Sequence, residues 1–209
     1  MKRAIMNRPR RYLPALCVLL AAVCLTGCGR MALRRRPASA GLEIVPVFQF
    51  LYREPVCTIG GERKSVASSG CGAACLSMVV TYLTGNDEQT PQSLFEQAWK
   101  NGDYWGYGLS HEALDRLAKD YGVGGRWIGR DGEAIRQALE EGHPVIAHMG
   151  PGLFALEGHY VLLRGITEDG HILLNDPNSW LRTRTAFDLS LILEEAKGQA
   201  PFRVCWAEG

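Results

Sequence analysis

The feature that most constrains the fold of this sequence is a change in its hydrophobic pattern at Gly142. Before this glycine, apolar residues recur three and four positions apart, which is the spacing of one buried helix face. After it, short apolar runs alternate with turn residues, which is typical of antiparallel strands. The helices are predicted over residues 71–83, 91–100, 110–121 and 132–141, and the strands over residues 144–148, 160–166 and 171–174. Helices that precede antiparallel strands predict an α+β fold, in which an N-terminal helical part packs on an antiparallel sheet.

Several residues mark the limits of these elements. Ser69 is predicted to cap the first helix, because its hydroxyl can accept a hydrogen bond from the free amides of the first turn. Gly85 is predicted to stop the same helix. Residues 167–170 are predicted as the hairpin turn between the last two strands. Residues 45–51 are predicted as a short extended stretch that leads into a loop over residues 52–68.

The N-terminus has the pattern of a secretory signal. Residues 1–11 are basic, and the 14 residues 12–25 form an apolar run, which as a helix spans about 21 Å against roughly 30 Å for the core of a bilayer. The run ends in Leu25-Thr26-Gly27-Cys28, which resembles a bacterial lipobox and predicts lipidation of Cys28. An uncleaved membrane anchor and an ordinary signal peptide are the alternatives. The predicted parts are a lipoprotein signal peptide over residues 1–27, a basic tether over residues 28–43 and one domain over residues 44–209.

Charge is divided unevenly along the chain. The first 36 residues hold nine Lys and Arg and no acidic residue, whereas residues 37–209 carry a net charge of about −8. An acidic body argues against nucleic-acid binding, which needs a basic face. The basic tether would lie near anionic lipid headgroups. We therefore expect a monomer that is held by its lipid at the extracytoplasmic face of a bacterial membrane.

Cysteines outside the cytoplasm can be oxidised, so their number matters. With Cys28 acylated and Cys71 free, Cys57, Cys75 and Cys205 remain, which allows one disulfide and leaves one thiol over. The sequence does not show which two of these three cysteines would form the disulfide. Cys75 lies one turn beyond Cys71 on the inward face of the same predicted helix, so we interpret it as part of the core.

Cys71 is the candidate nucleophile. It lies between Gly70 and Gly72 at the predicted start of a helix, where free amides and the positive end of the helix dipole favour a thiolate. The flanking glycines leave room for a substrate backbone. The alternative is a small buried hydrophobic residue. A cysteine nucleophile also needs a base to take its proton and a polar group to orient that base.

His159 is the best candidate base among the five histidines, because it begins an apolar strand that would hold the imidazole at a rigid end. A structural histidine is the alternative, and His148, which also lies in a predicted strand, is the second choice. The histidines that lie beside caps, prolines or turns, and that suit solvent, are His111, His143 and His171.

Asp176 is the candidate orienting group. It follows the strand after that of His159, and a tight hairpin between the two strands can bring them together. The carboxylate would accept a hydrogen bond from one ring nitrogen and present the other to Cys71. A turn aspartate before a proline is the alternative.

The body of the sequence resembles the papain-like bacterial cysteine peptidases that are related to the double-glycine leader peptidases of bacteriocin exporters. The segments that carry the resemblance are Val45-Pro46-Val47-Phe48-Gln49, Ser69-Gly70-Cys71-Gly72 with Cys75-Leu76-Ser77-Met78, Gly158-His159-Tyr160 and Asn175-Asp176-Pro177. The sequence departs from that pattern at Ala73, where many relatives have proline, and it lacks the Asp and Trp often found after Gln49. These departures leave the substrate open.

The resemblance implies a papain-like fold and four roles. Cys71 would be the nucleophile, His159 the general base and Asp176 the orienting carboxylate. Gln49 would be a side-chain oxyanion donor, for which an exposed strand amide is the alternative. No metal and no cofactor are implied, and the expected reaction is hydrolysis of bonds in peptides or cell-wall peptides through a thioester. The alternatives are a catalytically inactive surface-binding lipoprotein and an acyl-transferase or transpeptidase that uses the same thioester.

The loop over residues 101–108 has three aromatic residues, Tyr104, Trp105 and Tyr107, between glycines. These rings either line a substrate groove or pack down on the core. Packing on the core is the interpretation that we favour.

Overall fold

The computed structural model describes residues 41–209 of the chain. The predicted signal peptide over residues 1–27, the predicted lipidation site Cys28 and the tether up to residue 40 lie outside the described residues. The helices in the described part are a 3-10 helix (Gln49–Leu51), α1 (Val66–Ser69), α2 (Cys71–Thr84), α3 (Pro91–Lys100), α4 (His111–Asp120), α5 (Gly132–Glu140), α6 (Trp180–Thr183) and α7 (Leu189–Glu195). The strands are β1 (Pro55–Ile59), β2 (Glu62–Ser65), β3 (Val123–Ile128), β4 (Val145–Met149), β5 (His159–Ile166), β6 (Ile172–Asn175), β7 (Ala186–Phe187) and β8 (Phe202–Ala207).

The four helices that the apolar spacing predicts are confirmed as α2 to α5. α2 is the central one, and its residues from Gly72 to Val80 are all buried. It ends where Gly85 adopts a φ of 71°, a left-handed conformation in which a side chain would be strained. The α5 helix begins at the Asp131 cap, whose carboxylate accepts from two amides of the first turn.

Six antiparallel strands form the main sheet, in the order β3-β8-β4-β5-β6-β7. Alternate residues of β5 face opposite sides of this sheet. Tyr160 and Leu162 pack with α2, α3 and α4, whereas Val161 and Leu163 pack with α5 and α7. The sheet is covered on both faces, which explains why β4 and β5 are mostly apolar and do not alternate between apolar and polar residues. The α+β prediction, with helices on an antiparallel sheet, is confirmed.

The prediction for the chain before α2 is wrong in detail. The predicted loop over residues 52–68 contains a two-stranded sheet, β1 and β2, and then α1. The hairpin turns at Gly60 and Gly61, whose φ values of 59° and 84° favour glycine. Most residues of both strands are at least partly exposed, so no apolar alternation indicates them in the sequence. The predicted extended stretch over residues 45–51 ends in the 3-10 helix.

The cap of α2 also differs from the prediction. Gly70 is the N-cap, and the Ser69 hydroxyl instead hydrogen-bonds to the hydroxyl of Tyr104, with 2.5 Å between the oxygens. A Cβ on Gly70 would lie 2.6 Å from the Cα of Val66 in α1. Since non-bonded carbons do not approach so closely, only glycine lets α1 and α2 meet at this corner, directly before Cys71.

Three strands of the main sheet, β3, β7 and β8, are absent from the prediction. In β3, a Cβ on Gly124 or Gly125 would lie 2.4 Å from the side chain of Trp206 or Arg203 of β8, respectively. Glycines therefore let the two strands lie close together, and they also remove the apolar alternation that identifies a strand. The last strand of the chain, β8, lies between β3 and β4.

Three observations bear on the chemistry open to this domain. Among residues 41–209, no helix is both long and apolar enough to cross a bilayer. Within that same range, no group of three or more His, Cys, Asp or Glu side chains is arranged to hold a metal ion. The cysteines of the described part have free thiols, so the disulfide that the sequence allows is not formed between them: Cys57, Cys71, Cys75 and Cys205.

Candidate active site

Cys71 is the first residue of α2, directly after the Gly70 corner. Its thiol is half-buried and packs at the edge of the core. The backbone of Gly72, in the first turn of α2, lies beside the sulfur and lowers the pKa of the thiol. Cys75, one turn further on, is fully buried, which confirms its interpretation as core.

His159 and Asp176 are brought together by the hairpin of β5 and β6. His159 is the first residue of β5, and Asp176 directly follows the last residue of β6. The Nε2 atom of His159 lies 2.8 Å from Oδ1 of Asp176. The His159 ring also lies beside the Cys71 thiol, close enough to lower the pKa of that thiol. The structure thus brings these three sequence-predicted residues together, with His159 hydrogen-bonded to Asp176 and next to Cys71.

The Asp176 carboxylate is fully buried and both of its oxygens have partners. Oδ1 accepts from His159 and from the backbone amide of Asn178, at 2.7 Å. Oδ2 accepts from Nε of Arg182 in α6. A buried carboxylate with this many donors is held in one orientation and remains ionised.

The pKa values of the three groups move in the directions that favour a thiolate–imidazolium pair. Burial opposes ionisation of the Cys71 thiol, but the hydrogen bond and charge of His159, together with two backbone contacts, lower its pKa below the ordinary value. Burial also opposes protonation of His159, but hydrogen bonds to Asp176 and Cys71 raise its pKa to about 9. The pKa of Asp176 is lowered, because contacts with His159, Arg182 and a backbone amide outweigh its burial.

Gln49 lies beside the same hairpin end but is not directed at the thiol. Its backbone amide donates to the carbonyl of Pro177, at 2.8 Å, which fixes the 3-10 helix next to Asp176. Its side-chain Nε2 donates to the carbonyl of Ala67 in α1, at 3.2 Å. Its Oε1 is buried and has no hydrogen-bond partner in the described part of the chain. The structure therefore places Gln49 near the site with its amide turned towards α1.

A cleft of about 340 Å³ opens over the thiol. It runs between the loop before α4 and the loop before β5. The residues that line it are Cys71, Tyr107, Gly108, Leu109, His148, Glu157, Gly158, His159, Tyr160 and Lys197. Because Cys71 and His159 both line this cleft, a substrate bound there would meet both groups.

His148 lines the cleft but belongs to a different pair. Its Nδ1 lies 3.1 Å from Nε2 of His111, whose ring stacks on Trp127 with 3.5 Å between ring centroids. Burial, with smaller effects from nearby charges, lowers the pKa of His148 to about 4, so its ring is neutral at pH 7. The expectation that His111 lies in solvent is wrong, because the first turn of α4 packs its ring against β3 and β4.

The aromatic loop divides between the two interpretations. The Tyr104 side chain is buried and makes an edge contact with Phe95, at 4.5 Å between ring centroids, as expected for core packing. Trp105 and Tyr107 are 80% and 98% exposed, and Tyr107 lines the cleft. The loop is therefore anchored by one ring and presents the other two.

Arg182 and the His111–His148 pair were not among the predicted site residues. Arg182 lies in a four-residue helix, in a segment without apolar periodicity, and only the packing of α6 on the end of β6 brings it to Asp176. His111 and His148 are 37 residues apart and meet through tertiary packing. For this pair, the only local signal in the sequence was that His148 lies in a predicted strand, as His159 does.

Comparisons with known proteins bear on the family and the fold. The model of the Peptidase_C39 like family matches residues 42–199. The crystal structure of the peptidase domain of Streptococcus ComA, a bi-functional ABC transporter involved in a quorum sensing pathway, is similar with a TM-score of 0.54 and 20% sequence identity, over 68% of this chain and 93% of that one. A double glycine motif protease from an AMS/PCAT transporter, in complex with the leader peptide, gives a TM-score of 0.49 at 18% identity, over 80% of this chain and 93% of that one. No curated protein matches the sequence.

The described part of the chain is thus a cysteine peptidase domain of papain-like fold. Because the family model covers most of its length, the chain belongs to the Peptidase_C39 like family. The resemblance to the double-glycine leader peptidases is confirmed at the level of family and fold.

Proposed function

We propose that this protein is a lipid-anchored, extracytoplasmic cysteine peptidase that hydrolyses peptide bonds through a thioester intermediate. The observation that carries the proposal is the grouping of the half-buried Cys71 thiol with the buried, hydrogen-bonded pair of His159 and Asp176 at a cleft. Strongly perturbed ionisable groups that converge at a cleft are typical of active sites. A purely structural histidine does not require both a buried carboxylate and a thiol as partners.

The proposed reaction begins with the Cys71 thiolate, which attacks the carbonyl carbon of the scissile peptide bond. The carbonyl oxygen becomes an oxyanion. The His159 imidazolium then donates its proton to the leaving nitrogen as the carbon–nitrogen bond breaks, and the first product departs as an amine. A thioester between Cys71 and the acyl part remains. His159, now neutral, takes a proton from water, which attacks the thioester. The carbon–sulfur bond breaks, the carboxylic acid departs, and the Cys71 thiolate and the His159 imidazolium are restored.

Oxyanion stabilisation is proposed to come from the amide of Cys71 at the start of α2 and from Gln49. The Gln49 amide now donates to Ala67, so this role requires rotation of its side chain towards the thiol. The buried, unpartnered Oε1 leaves one end of this amide without a hydrogen bond that rotation would break. Loss of one oxyanion donor costs about 3 kcal/mol of transition-state stabilisation, or roughly a hundredfold in rate.

The proposed substrate is a peptide or a cell-wall peptide. The support is the cleft between two loops, with the thiol at its floor and the exposed ring of Tyr107 at its rim. The similar domain in ComA is described as a peptidase domain, which agrees with this substrate class.

Alkylation by iodoacetamide at pH 6 tests the proposed chemistry, with each modified cysteine quantified by mass spectrometry in the full-length protein. Cys71 should react much faster than Cys57, an internal control whose thiol is also half-buried but whose pKa is raised. His159→Gln should remove the excess reactivity of Cys71 and leave Cys57 unchanged. Equal reactivity of the two cysteines in the wild type would favour the inactive surface-binding alternative.

The anchor is tested by fractionation. Cys28→Ser should move the protein from the membrane fraction to the soluble fraction, or leave an unprocessed precursor, and Cys28 should carry the lipid in the parent protein. A Cys28→Ser protein that is processed and fractionates with membranes as the parent does would contradict lipid anchoring.

A further inference from the structure

Arg182 contacts Asp176, but the proposed mechanism assigns it no role. Asp176 is fully buried, and its Oδ1 is already occupied by His159 and a backbone amide. Its second oxygen, Oδ2, faces Nε of Arg182. The guanidinium is one-quarter exposed, so it carries its charge at the edge of the site while the carboxylate lies inside.

The α6 helix is tied to Asp176 at more than one point. The Ser179 hydroxyl accepts from the backbone amide of Arg182, at 3.1 Å, and so caps the helix. The hydroxyl of Thr183 accepts from the backbone amide of Asp176, at 2.9 Å. Nη1 of Arg182 also reaches the carbonyl of Leu153, at 3.4 Å, in the loop that leads to β5. The guanidinium therefore connects the end of β6 to the segment before His159.

We propose that Arg182 is a positioning residue for the proposed peptidase reaction, which fixes the Asp176 carboxylate so that Oδ1 faces His159. This inference rests on the proposed function and adds Arg182 to Cys71, His159 and Asp176 as a fourth residue of the site. Nε and the carboxylate form a charge-assisted hydrogen bond, which is stronger and more directional than a neutral one. An exposed ion pair would contribute little, but here one partner is wholly buried, so loss of the arginine leaves a buried anion with an unpaired oxygen.

The charged and titratable groups that face Asp176 come from three elements. They are His159 in β5, Arg182 in α6 and the thiol of Cys75 in α2. Burial raises the pKa of Asp176, and His159 and then Arg182 lower it. Without Arg182 this pKa moves up. A protonated Asp176 does not stabilise the His159 imidazolium. As the pH is lowered, the protein without Arg182 should therefore lose the activation of Cys71 at a higher pH than the wild type does.

The test is the pH dependence of Cys71 alkylation in the full-length protein, measured from pH 4 to pH 10. In Arg182→Met, the pH at which reactivity falls to half on the acid side should rise by about one unit, because an opposite charge typically shifts a carboxyl pKa by that amount or more. Reactivity at pH 7 should fall roughly tenfold, as the carboxylate is no longer held. Arg182→Lys should give an intermediate profile, since it retains the charge but not the fork.

Arg184→Met is the matched control. Arg184 ends the same helix and its side chain is exposed, so its replacement should leave the profile unchanged. The Arg182→Met change should also have little further effect in an Asp176→Asn background, because the two residues act through one contact. Fully additive losses would indicate that Arg182 acts only on general stability and would overturn the proposal.

The outcomes separate this inference from the proposed function. If wild-type Cys71 reacts no faster than Cys57, the peptidase proposal and the role of Arg182 both fail. If the wild type is activated and the Arg182→Met profile superimposes on it, only the role of Arg182 is overturned. If Arg182→Met does not fold, as judged by circular dichroism, the Arg182→Lys profile decides, and a profile identical to the wild type counts against positioning.

Discussion

Asp176→Asn replaces one carboxylate oxygen at the centre of the candidate site by an NH₂ group. In the wild type both carboxylate oxygens accept hydrogen bonds, from His159 and a backbone amide at Oδ1 and from Arg182 at Oδ2. An asparagine has one acceptor oxygen, and its NH₂ group must then face a donor, either the His159 ring or the Arg182 guanidinium. The variant therefore loses the negative charge and gains an unfavourable donor–donor contact, or a turned imidazole.

The magnitude follows from the pKa of His159, which is raised from 6.5 to about 9, with Asp176 the leading cause that opposes burial. That displacement corresponds to about 3 kcal/mol in favour of the imidazolium, shared between Asp176 and Cys71. Loss of the correct ring orientation adds to it, and the same substitution in a Ser-His-Asp triad lowers kcat by about 10⁴. We expect acylation of Cys71 at pH 7 to slow by a factor of roughly 10³ to 10⁴, or about 4 to 5.5 kcal/mol.

The assay is the burst of p-nitrophenol from an activated acyl ester, which reports acylation of the thiol and requires no knowledge of the natural substrate. The matched control is Asn178→Ala, because Asn178 is exposed and contacts Asp176 through its backbone amide. Thermal unfolding of both variants verifies that they are folded. A burst rate for Asp176→Asn within threefold of the wild type would refute the reasoning that Asp176 orients and charges His159.

Three further predictions concern packing in the fold and His148, the second histidine that lines the cleft. Gly70→Ala should lower the free energy of unfolding in denaturant by about 1–3 kcal/mol, because its Cβ would lie 2.6 Å from the backbone of α1. Gly72→Ala, whose Cβ would have its nearest contacts at 3.3 Å, should be close to neutral. Equal losses in the two variants would contradict this reasoning. Tyr104→Ala should lower the free energy of unfolding by about 3–5 kcal/mol and Trp105→Ala by less than about 0.5 kcal/mol, since only the Tyr104 ring is buried. A larger drop in melting temperature for Trp105→Ala than for Tyr104→Ala would contradict this prediction. His148→Gln should leave the pH profile of Cys71 alkylation unchanged between pH 5 and pH 8, because a pKa of about 4 keeps that ring neutral there; a displaced acid limb would show that it titrates with the site.

Much of the helical half of the fold was predictable from local pattern. The apolar spacing of α2 to α5 and the stops at Gly85 and Gly142 are properties of neighbouring residues, and each element was found close to its observed limits. The strands β4, β5 and β6 were predictable for the same reason, since each is a short apolar run between turns. The β1–β2 hairpin was not, because its strands are largely exposed and lack alternation.

The candidate site divides in the same way. Cys71 between glycines, His159 at a strand start and Asp176 after the next strand each have a local signal, and one hairpin is enough to relate the last two. Gln49 could be located but not oriented, because the direction of a buried amide depends on partners such as Ala67 that are distant in sequence. Arg182 has no local signal at all, because its role depends on where a short helix packs.

The sequence by itself determined the helices α2 to α5, the strands β4 to β6 and the pairing of His159 with the residue that follows the next strand. These depend on interactions between residues that are near in the chain, or joined by one tight turn. Only the tertiary structure decided that β8 lies inside the sheet, that His111 holds His148, and that the second oxygen of Asp176 meets Arg182. Such contacts are selected by burial and charge pairing after collapse, between residues whose separation along the chain carries no periodic signal.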